Sequence, residues 1–314
     1  MSAGGTAPRL SVVVALISGK REDLERCLQA LASQRGAPDF EVLVPYDDAV
    51  VEVLELAPRF PNARFLRAEG LDTRAARAGA SREHHDTLRT IGLRAATGAV
   101  VALTEDHAVA SPTWAADMQA ALSAHPRAAA VGGAVECGAT TLLARAVYHC
   151  DFGRYQNPLP EGPAQYVSDS NVAYRREALE AVRDAWKDDY HETIVHGALV
   201  ARGFEILLTR KSEVAQVRSG LRLGTALRER FVWGRSYAGT RVAGAPLARR
   251  AIFAAISFLL PFLLTLRLLR GTLARKRDIG RFLACLPLVF LLQLGWAFGE
   301  FVGYATGDPG RARP

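Results

Sequence analysis

The chain has 314 residues, of which 49% are hydrophobic, and its formal net charge at pH 7 is +7. This length is enough for one large domain or two smaller ones with a substantial core. The charge is uneven, because residues 218–281 hold fourteen Arg or Lys but only two acidic residues. A basic segment beside apolar runs favours anionic lipid headgroups or phosphate-bearing substrates. The aromatic-interleaved basic patterns of RNA-binding modules are absent, so we expect no nucleic-acid partner.

Short apolar runs alternate with helical patterns along the first half of the chain. The predicted strands are 10–17, 40–46, 63–68 and 99–103, and the predicted helices are 21–34, 84–98 and 111–125. We expect Gly98 to close the second helix, and Ser111 and Pro112 to begin the third. This alternation predicts an α/β fold with a mostly parallel sheet. Ligands of such sheets bind beyond the carboxyl ends of the strands, where several acidic residues follow the predicted strands.

Cysteine usage and the N-terminus indicate the compartment. The four cysteines are scattered, with no CxxC pair, which favours a reduced, cytosol-facing location. The run at 10–17 lacks the layout of a signal peptide, and we interpret it as the first strand.

The last third of the sequence is membrane-seeking. Residues 251–266 carry no charge but include Pro261, and residues 282–299 are eighteen uncharged residues. The second run has the length of a membrane span, whereas the first is slightly short. A basic loop between two spans should stay cytoplasmic, which conflicts with a cytoplasmic catalytic domain unless the first run is re-entrant or interfacial. Two core helices of a soluble protein are the alternative.

Five stretches occur in the order found in one enzyme family. They are SVVVALISGKREDLERCLQALASQ, FEVLVPYDDA, LRTIGLRAATGAVVALTEDH, DDYHETIVHGALVARGFEI and LRERFVWGRSYAG. Over residues 10–237 this order resembles family 2 glycosyltransferases, inverting enzymes with the GT-A fold. The resemblance implies a GT-A-like (Rossmann-like) mixed, mostly parallel sheet flanked by helices. We expect a glycosyltransferase domain at 1–220, a basic amphipathic or interfacial segment at 221–250, and a membrane-associated helical hairpin at 251–314.

The resemblance implies a nucleoside-diphosphate sugar as donor. Asp47 and Asp48 match acids that contact the base or ribose, where carboxylates accept hydrogen bonds from N–H and hydroxyl groups. A turn after a strand is the alternative for this pair. Arg89 matches a residue that can neutralise diphosphate oxygens. The stretch YVSDSNVAYRREAL (166–179) is similar to the family's segment near the acceptor, and its Ser170 and Asn171 are the candidates for contact with the donor sugar.

The TEDH stretch takes the place of the family's DxD motif. Its residues Glu105, Asp106 and His107 are therefore the candidate metal ligands. Glu105 and His107 fill the outer positions, and Asp106 faces the ribose or the metal. Such sites bind Mg²⁺ or Mn²⁺ with few protein ligands and share it with phosphate oxygens, and the imidazole slightly favours Mn²⁺. A helix cap in a loop is the alternative.

The stretch 188–206 corresponds to the segment that holds the family's catalytic base. It places His191 and Glu192 at the catalytic position, with Glu192 as the general base that removes the acceptor hydroxyl proton. Asp188 and Asp189 are rivals, and the charged first turn of a helix is the non-catalytic alternative.

The stretch 227–239 is similar to the family's Gln-x-x-Arg-Trp element. Arg230, Trp233 and Arg235 give it the same basic and aromatic character, and an arginine there can close over the diphosphate. An amphipathic interfacial helix explains these residues equally well.

Together these features predict a glycosyltransferase at the cell membrane with its catalytic domain facing the cytoplasm. It would use a divalent metal and a nucleoside-diphosphate sugar, act on a lipid-linked or membrane-surface acceptor with inversion, and contact anionic membrane lipids. A catalytically inactive GT-A-fold scaffold at the membrane is the alternative, because the DxD and Gln-x-x-Arg-Trp positions are altered.

Overall fold

The computed structural model describes residues 9–71 and 83–310. These residues form two compact units. The sheet unit contains residues 9–71, 85–138 and 155–217, and the helical unit contains residues 83–84, 139–154 and 218–310. The segment 139–154 groups with the C-terminal helices, which the sequence analysis did not anticipate. The domain limits proposed from the sequence stay a prediction.

The sheet unit is built on nine strands. They are β1 (Leu10–Ala15), β2 (Phe40–Tyr46), β3 (Ala63–Arg67), β4 (Val100–Glu105), β5 (Ala108–Ala110), β6 (Ala128–Cys137), β7 (Gly162–Pro163), β8 (Asn171–Arg175) and β9 (Glu205–Gln216). Their order is β3-β2-β1-β4-β8-β6-β9-β5, and β7 pairs with β9. Strands β1 to β4 are mutually parallel, β6 and β9 are parallel, and β8 runs antiparallel to both of its neighbours. The predicted mixed, mostly parallel sheet is confirmed.

Helices flank this sheet and make up the second unit. They are α1 (Arg21–Ala32), α2 (Glu83–Ala95), α3 (Trp114–Ala124), α4 (Leu142–Phe152), α5 (Arg176–Ala181), α6 (Glu192–Ala201), α7 (Leu223–Arg241), α8 (Leu247–Ser257), α9 (Leu260–Arg275) and α10 (Ile279–Thr306). Short 3-10 segments occur at Val51–Arg59, Gly153–Tyr155 and Arg183–Ala185. Helices α4 and α7 to α10 belong to the helical unit.

The helix ends predicted at Gly98 and at Ser111 with Pro112 differ from the structure. Helix α2 ends at Ala95, three residues before Gly98, because residues 96–98 turn into β4. A Cβ at Gly98 would lie 2.6 Å from the Ser11 backbone nitrogen, so glycine is needed there for a close backbone approach rather than as a cap. Helix α3 begins at Trp114, because Pro112 lies in a turn and Thr113 takes the N-cap position.

Asn171, at the start of β8, joins three elements of the sheet unit. Its side chain is fully buried and accepts a hydrogen bond from Trp114 Nε1 at 2.7 Å. Its amide donates to the carbonyls of Ala134 at 2.7 Å and Ser212 at 3.1 Å. One side chain therefore links α3, β6 and β9 at the strand end that faces the carboxyl end of β4, since Asn171 pairs with Thr104.

In the helical unit, α7 and α10 run side by side in the same direction. Glycines four residues apart on α10 allow this approach: a Cβ at Gly299 would lie 2.1 Å from the Phe231 carbonyl, and one at Gly303 would lie 2.4 Å from the Arg235 carbonyl. Small residues at this spacing bring two helix backbones into contact.

The apolar C-terminal runs form one long helix and one bent pair. Among the described residues, α10 is the one helix that is long and apolar enough to cross a membrane, with 28 residues. Helices α8 and α9 meet at a bend of 55° and would count as a second span only if taken together. Pro261 lies in the first turn of α9, next to this bend.

We predict that Asn171→Leu destabilises the sheet unit by about 2–4 kcal/mol, because a buried indole N–H and two carbonyls lose their hydrogen bonds to this side chain. Denaturant unfolding followed by Trp fluorescence measures this loss. Gln29→Ala, at an exposed site on α1, is the control and should change stability by less than about 0.5 kcal/mol. Equal stability of Asn171→Leu and the parent chain would contradict the role given to this amide.

Candidate active site

The polar residues of the site lie at one edge of the sheet. Strands β1, β2 and β4 are parallel and end there, with Ala15 opposite Glu105. Strand β8 is antiparallel and begins there, with Asn171 opposite Thr104. The ends of β2 and β4 and the segment before β8 therefore bring their side chains to the same edge.

Asp106 holds the loop that follows β1. Its side chain is fully buried, and its backbone N–H donates to the Ala15 carbonyl at 3.0 Å. Oδ1 accepts from the backbone N–H groups of Ile17 and Ser18 at 3.2 and 3.1 Å. Oδ2 accepts from Ser18 Oγ at 2.8 Å and from the Gly19 N–H at 2.7 Å. The middle residue of the TEDH stretch is thus engaged with residues 17–19 through both carboxylate oxygens.

His107 is oriented by the same carboxylate. Its Nδ1 lies 2.9 Å from Asp106 Oδ1, and its Nε2 lies 3.5 Å from Glu105 Oε2. Because a carboxylate only accepts, Nδ1 carries the proton, and in the neutral imidazole Nε2 carries the lone pair. Burial alone would raise the pKa of Asp106, but hydrogen bonds and charge from His107 and hydrogen bonds from Ser18 lower it.

A buried arginine joins two carboxylates beside this group. Arg89 Nη2 lies 2.8 Å from Glu105 Oε1 and 2.9 Å from Asp169 Oδ2, and Arg89 is only 2% exposed. Gln216 Nε2 donates to the other Glu105 oxygen, Oε2, at 3.3 Å. Burial raises the pKa of Glu105, against the lowering effects of His107 and Arg89.

Asp169 and Gln216 were missed by the sequence analysis. Asp169 directly precedes Ser170 and Asn171, so an acid beside a segment expected near the donor was the available signal. Gln216 offered no such signal, because it lies 111 residues from its partner Glu105.

The two aspartates after β2 differ in their surroundings. Asp47 is fully buried, and its Oδ1 accepts from the Ala49 N–H at 2.9 Å, which is the expected turn. Asp48 is exposed and forms a two-bond ion pair with Arg67, at 2.9 and 3.0 Å. Both lie at the carboxyl edge, and their contact with a nucleotide stays a prediction.

The proposed catalytic segment lies against α2. His191 is the N-cap of α6, and its Nδ1 lies 3.2 Å from Asp86 Oδ2. Thr87 Oγ1 donates to Asp189 at 3.0 Å. Glu192 is the first residue of α6 and is half-buried. The rival acids Asp188 and Asp189 are exposed.

A buried hydrogen-bond network lies behind this segment. The Tyr174 hydroxyl is 2.7 Å from both the Tyr190 hydroxyl and His196 Nε2. His196 Nδ1 has no hydrogen-bond partner among the described residues. Burial lowers the pKa of His196 to about 4, with Asp169 acting in the opposite direction.

The arginines of the 227–239 stretch are engaged inside the helical unit. Arg230 pairs with Asp151 at 2.6 Å, and its guanidinium lies 5.3 Å from the centre of the Trp233 ring. Arg235 pairs with Asp308 at 2.6 Å. Their predicted contact with the diphosphate stays a prediction.

The TEDH stretch offers a limited number of donor atoms to a metal ion. Among residues 9–71 and 83–310, no group of three or more His, Cys, Asp or Glu side chains is placed to hold a metal ion. Glu105 Oε2 and His107 Nε2 are close enough to serve one ion, whereas both oxygens of Asp106 are already engaged. Two protein ligands fit Mg²⁺ or Mn²⁺, because these ions keep water and phosphate oxygens as their remaining ligands.

Comparison with known proteins adds the family. The model of the family described as "Glycosyl transferase family 2" matches residues 11–183, which is more than half of the chain. No curated protein matches the chain. Among the solved structures that are similar to it are a TarS protein and a mannosyltransferase. S. aureus TarS 1-349 in complex with UDP-GlcNAc is 12% identical, with a TM-score of 0.48 and coverage of 89% of this chain and 90% of that chain. The mannosyltransferase PcManGT from Pyrobaculum calidifontis in complex with GDP-Man and Mn²⁺ is 18% identical, with a TM-score of 0.49 and coverage of 96% and 86%.

We predict that Asp106→Asn frees the loop after β1. In this variant an NH₂ group takes the place of one carboxylate oxygen and faces N–H or O–H donors. Residues 17–19 therefore lose part of their hydrogen bonding, at a free-energy cost of about 2–3 kcal/mol. Hydrogen exchange of the Ile17 to Gly19 amides should become faster, as measured by mass spectrometry. Ser18→Ala removes a single donor and should have a smaller effect; unchanged exchange in Asp106→Asn would refute the attachment.

We predict that His196 makes the sheet unit less stable in acid. Its folded pKa of about 4 lies below its ordinary value of 6.5, so the unfolded chain binds this proton first as the pH falls. The unfolding free energy should therefore fall between pH 6.5 and 4, by on the order of 3 kcal/mol. Denaturant unfolding at pH 7 and pH 4.5 should show a smaller loss for His196→Gln than for the parent chain. Equal losses would exclude this contribution.

Proposed function

Since this chain belongs to glycosyl transferase family 2 and is a glycosyltransferase, we propose that it moves a sugar from a nucleoside-diphosphate donor to a lipid-linked or membrane-surface acceptor. The observation that carries this proposal is the ion-paired group of buried Arg89 with Glu105 and Asp169 at the carboxyl edge of the sheet. This group lies within residues 11–183, the segment that the family model matches, at the sheet edge where α/β sheets of this kind bind their ligands.

The donor nucleotide is proposed to lie across the ends of β1 and β2. Asp106 keeps the loop at residues 17–19 in one conformation, in which Gly19 takes a positive φ of 65°. Asp47 and Asp48 follow β2 and offer carboxylate oxygens to the base and ribose. Asn171 and Ser170 are fully buried, so we propose that they shape the site rather than reach far into it.

The leaving diphosphate is proposed to lie near Glu105 and His107. A divalent metal, when bound, would neutralise the negative charge that grows on the departing diphosphate. Glu105 and His107 would hold it, and Asp106 would fix the imidazole so that Nε2 faces the ion. Arg89 pairs with the opposite carboxylate oxygen of Glu105, Oε1.

Glu192 is proposed as the general base. It is half-buried at the start of α6, and its neighbour His191 is held by Asp86. The pKa of the Tyr174 hydroxyl is raised by burial and also by the charges of Asp169 and Glu192, so both acids act on one phenol. A base at the start of α6 can deprotonate an acceptor hydroxyl, which then attacks the anomeric carbon opposite the leaving group and inverts it.

The helical unit is proposed to hold the enzyme at the cytoplasmic face of the membrane. Helices α8 and α9 expose a run of apolar side chains at helical spacing: Leu247, Ile252, Ile256, Phe258, Leu259, Phe262, Leu263 and Leu266. Exposed Arg249, Arg267 and Arg270 border this run and suit anionic headgroups. The 55° bend suits an apolar face that lies along the membrane surface. In this proposal residues 1–220 form the catalytic domain, 221–250 the interfacial segment and 251–314 the membrane-associated hairpin.

We predict that Glu192→Gln lowers kcat by about 10²- to 10⁴-fold and leaves the KM of the donor nearly unchanged, because the amide cannot accept the acceptor proton. The donor is first identified by transfer or hydrolysis assays with a panel of UDP- and GDP-sugars and Mn²⁺ or Mg²⁺. Asp184→Asn, at an exposed acid paired with Lys187, is the control and should keep full activity. A loss in Asp189→Asn rather than Glu192→Gln would move the base to Asp189.

We predict that Phe258→Glu combined with Phe262→Glu weakens membrane binding by at least about tenfold, because two exposed aromatic rings would otherwise enter the lipid interface. Sedimentation of the protein with phosphatidylglycerol vesicles measures this. The matched control is Val51→Glu with Leu54→Glu, which places the same charges on exposed apolar sites of the sheet unit. Equal binding of both double variants would rule out the α8–α9 face.

A further inference from the structure

Gln216 lies beside the TEDH stretch although it is far from it in sequence. It is the last residue of β9 and pairs with Ala108, the first residue of β5, which directly follows His107. The Val217 N–H donates to the His107 carbonyl at 2.8 Å, which fixes the same alignment. Backbone pairing therefore places Gln216 beside the TEDH stretch, where its side chain reaches Glu105.

The Gln216 amide has one satisfied end and one unsatisfied end. Its Nε2 donates to Glu105 Oε2 at 3.3 Å. Its Oε1 has no hydrogen-bond partner among the described residues, although the side chain is only 3% exposed. An unpaired buried amide oxygen costs about 1–3 kcal/mol, so it calls for a reason.

The amide reaches the point where two other donor atoms converge. Glu105 Oε2 lies 3.5 Å from His107 Nε2, and two adjacent ligands at about 2.1 Å from one ion stand roughly 3–3.5 Å apart. Arg89 engages Glu105 through Oε1, which leaves Oε2 as the oxygen that faces the imidazole and the amide.

A half-turn of the amide group exchanges its oxygen and nitrogen positions. Without a cation the NH₂ end faces the Glu105 carboxylate, since two oxygens would repel each other. With a cation at Glu105 Oε2, the carbonyl end becomes the favourable one, because amide oxygens are ligands of hard divalent ions. We infer that Gln216 turns its Oε1 to a divalent cation held by Glu105 and His107 and serves as its third protein ligand.

This assignment rests on the proposed function, which calls for a cation at this edge. It also explains why acidic, imidazole and thiol groups alone do not make a three-membered site among the described residues, because the third donor is an amide. Asp106 remains the group that orients His107 rather than a ligand.

The test is a Mn²⁺ titration of the full chain by electron paramagnetic resonance, with and without UDP or GDP. Gln216→Leu should bind Mn²⁺ about tenfold or more weakly. Gln216→Glu should bind Mn²⁺ more tightly than the parent chain, because a carboxylate replaces the amide oxygen. Gln165→Leu, at an exposed position, is the control and should bind as the parent does.

Thermal unfolding separates a ligand from a packing role. Gln216→Leu should melt near the parent chain without metal and should lose the stabilisation that Mn²⁺ gives to the parent. Mn²⁺ affinities of Gln216→Leu and Gln216→Glu equal to that of the parent would overturn the inference, as would a parent chain that binds no Mn²⁺ with either nucleotide. If the expected Mn²⁺ pattern appears but no sugar is transferred from any donor, the proposed function fails and the ligand assignment stands.

Discussion

The attachment of the Asp106 carboxylate to the loop after β1 is the constraint on which the candidate site depends. One fully buried side chain accepts four hydrogen bonds from residues 17–19 and fixes the ends of β1 and β4 relative to each other. A buried carboxylate is costly unless it is hydrogen-bonded, and these donors supply that compensation. The same carboxylate sets the His107 tautomer, so the loop, the strand ends and the imidazole take their positions from one group.

Charge balance around Asp106 explains why the site suits a cation. Two carboxylates, those of Glu105 and Asp169, share Arg89, whereas the neighbouring Asp106 carboxylate is held by hydrogen-bond donors of residues 17–19 and by His107. Each of these ion pairs offsets part of the free-energy cost of removing its charged groups from water. The raised pKa of Glu105 reflects this burial beside other acids. A divalent cation bound together with the nucleotide would offset this excess of negative charge at Glu105 Oε2, the oxygen that Arg89 does not contact.

Sequence patterns predicted the parts of the fold that depend on local information. The continuous β-branched run at 10–17 and the acids after predicted strands were sufficient to place the strands and the site edge. The contacts of Asp169, Gln216 and His196 could not be predicted, because they join strands and helices whose neighbours are set by the order β4-β8-β6-β9. A single sequence contains no record of that order.

In the helical unit, internal ion pairs neutralise part of the positive charge of residues 218–281. Residues 218–281 hold fourteen arginines and lysines, but three arginines at or just before α7 are paired internally: Arg218 with Glu229, Arg230 with Asp151 and Arg235 with Asp308. Two of those partners, Asp151 and Asp308, lie outside the basic segment in sequence. The positive charge that anionic lipids would meet is therefore carried by exposed residues beside the apolar face of α8 and α9, such as Arg249 and Arg267. Attraction to a charged surface falls off within about 10 Å in salt, so for the proposed membrane contact the position of these arginines matters more than the total charge.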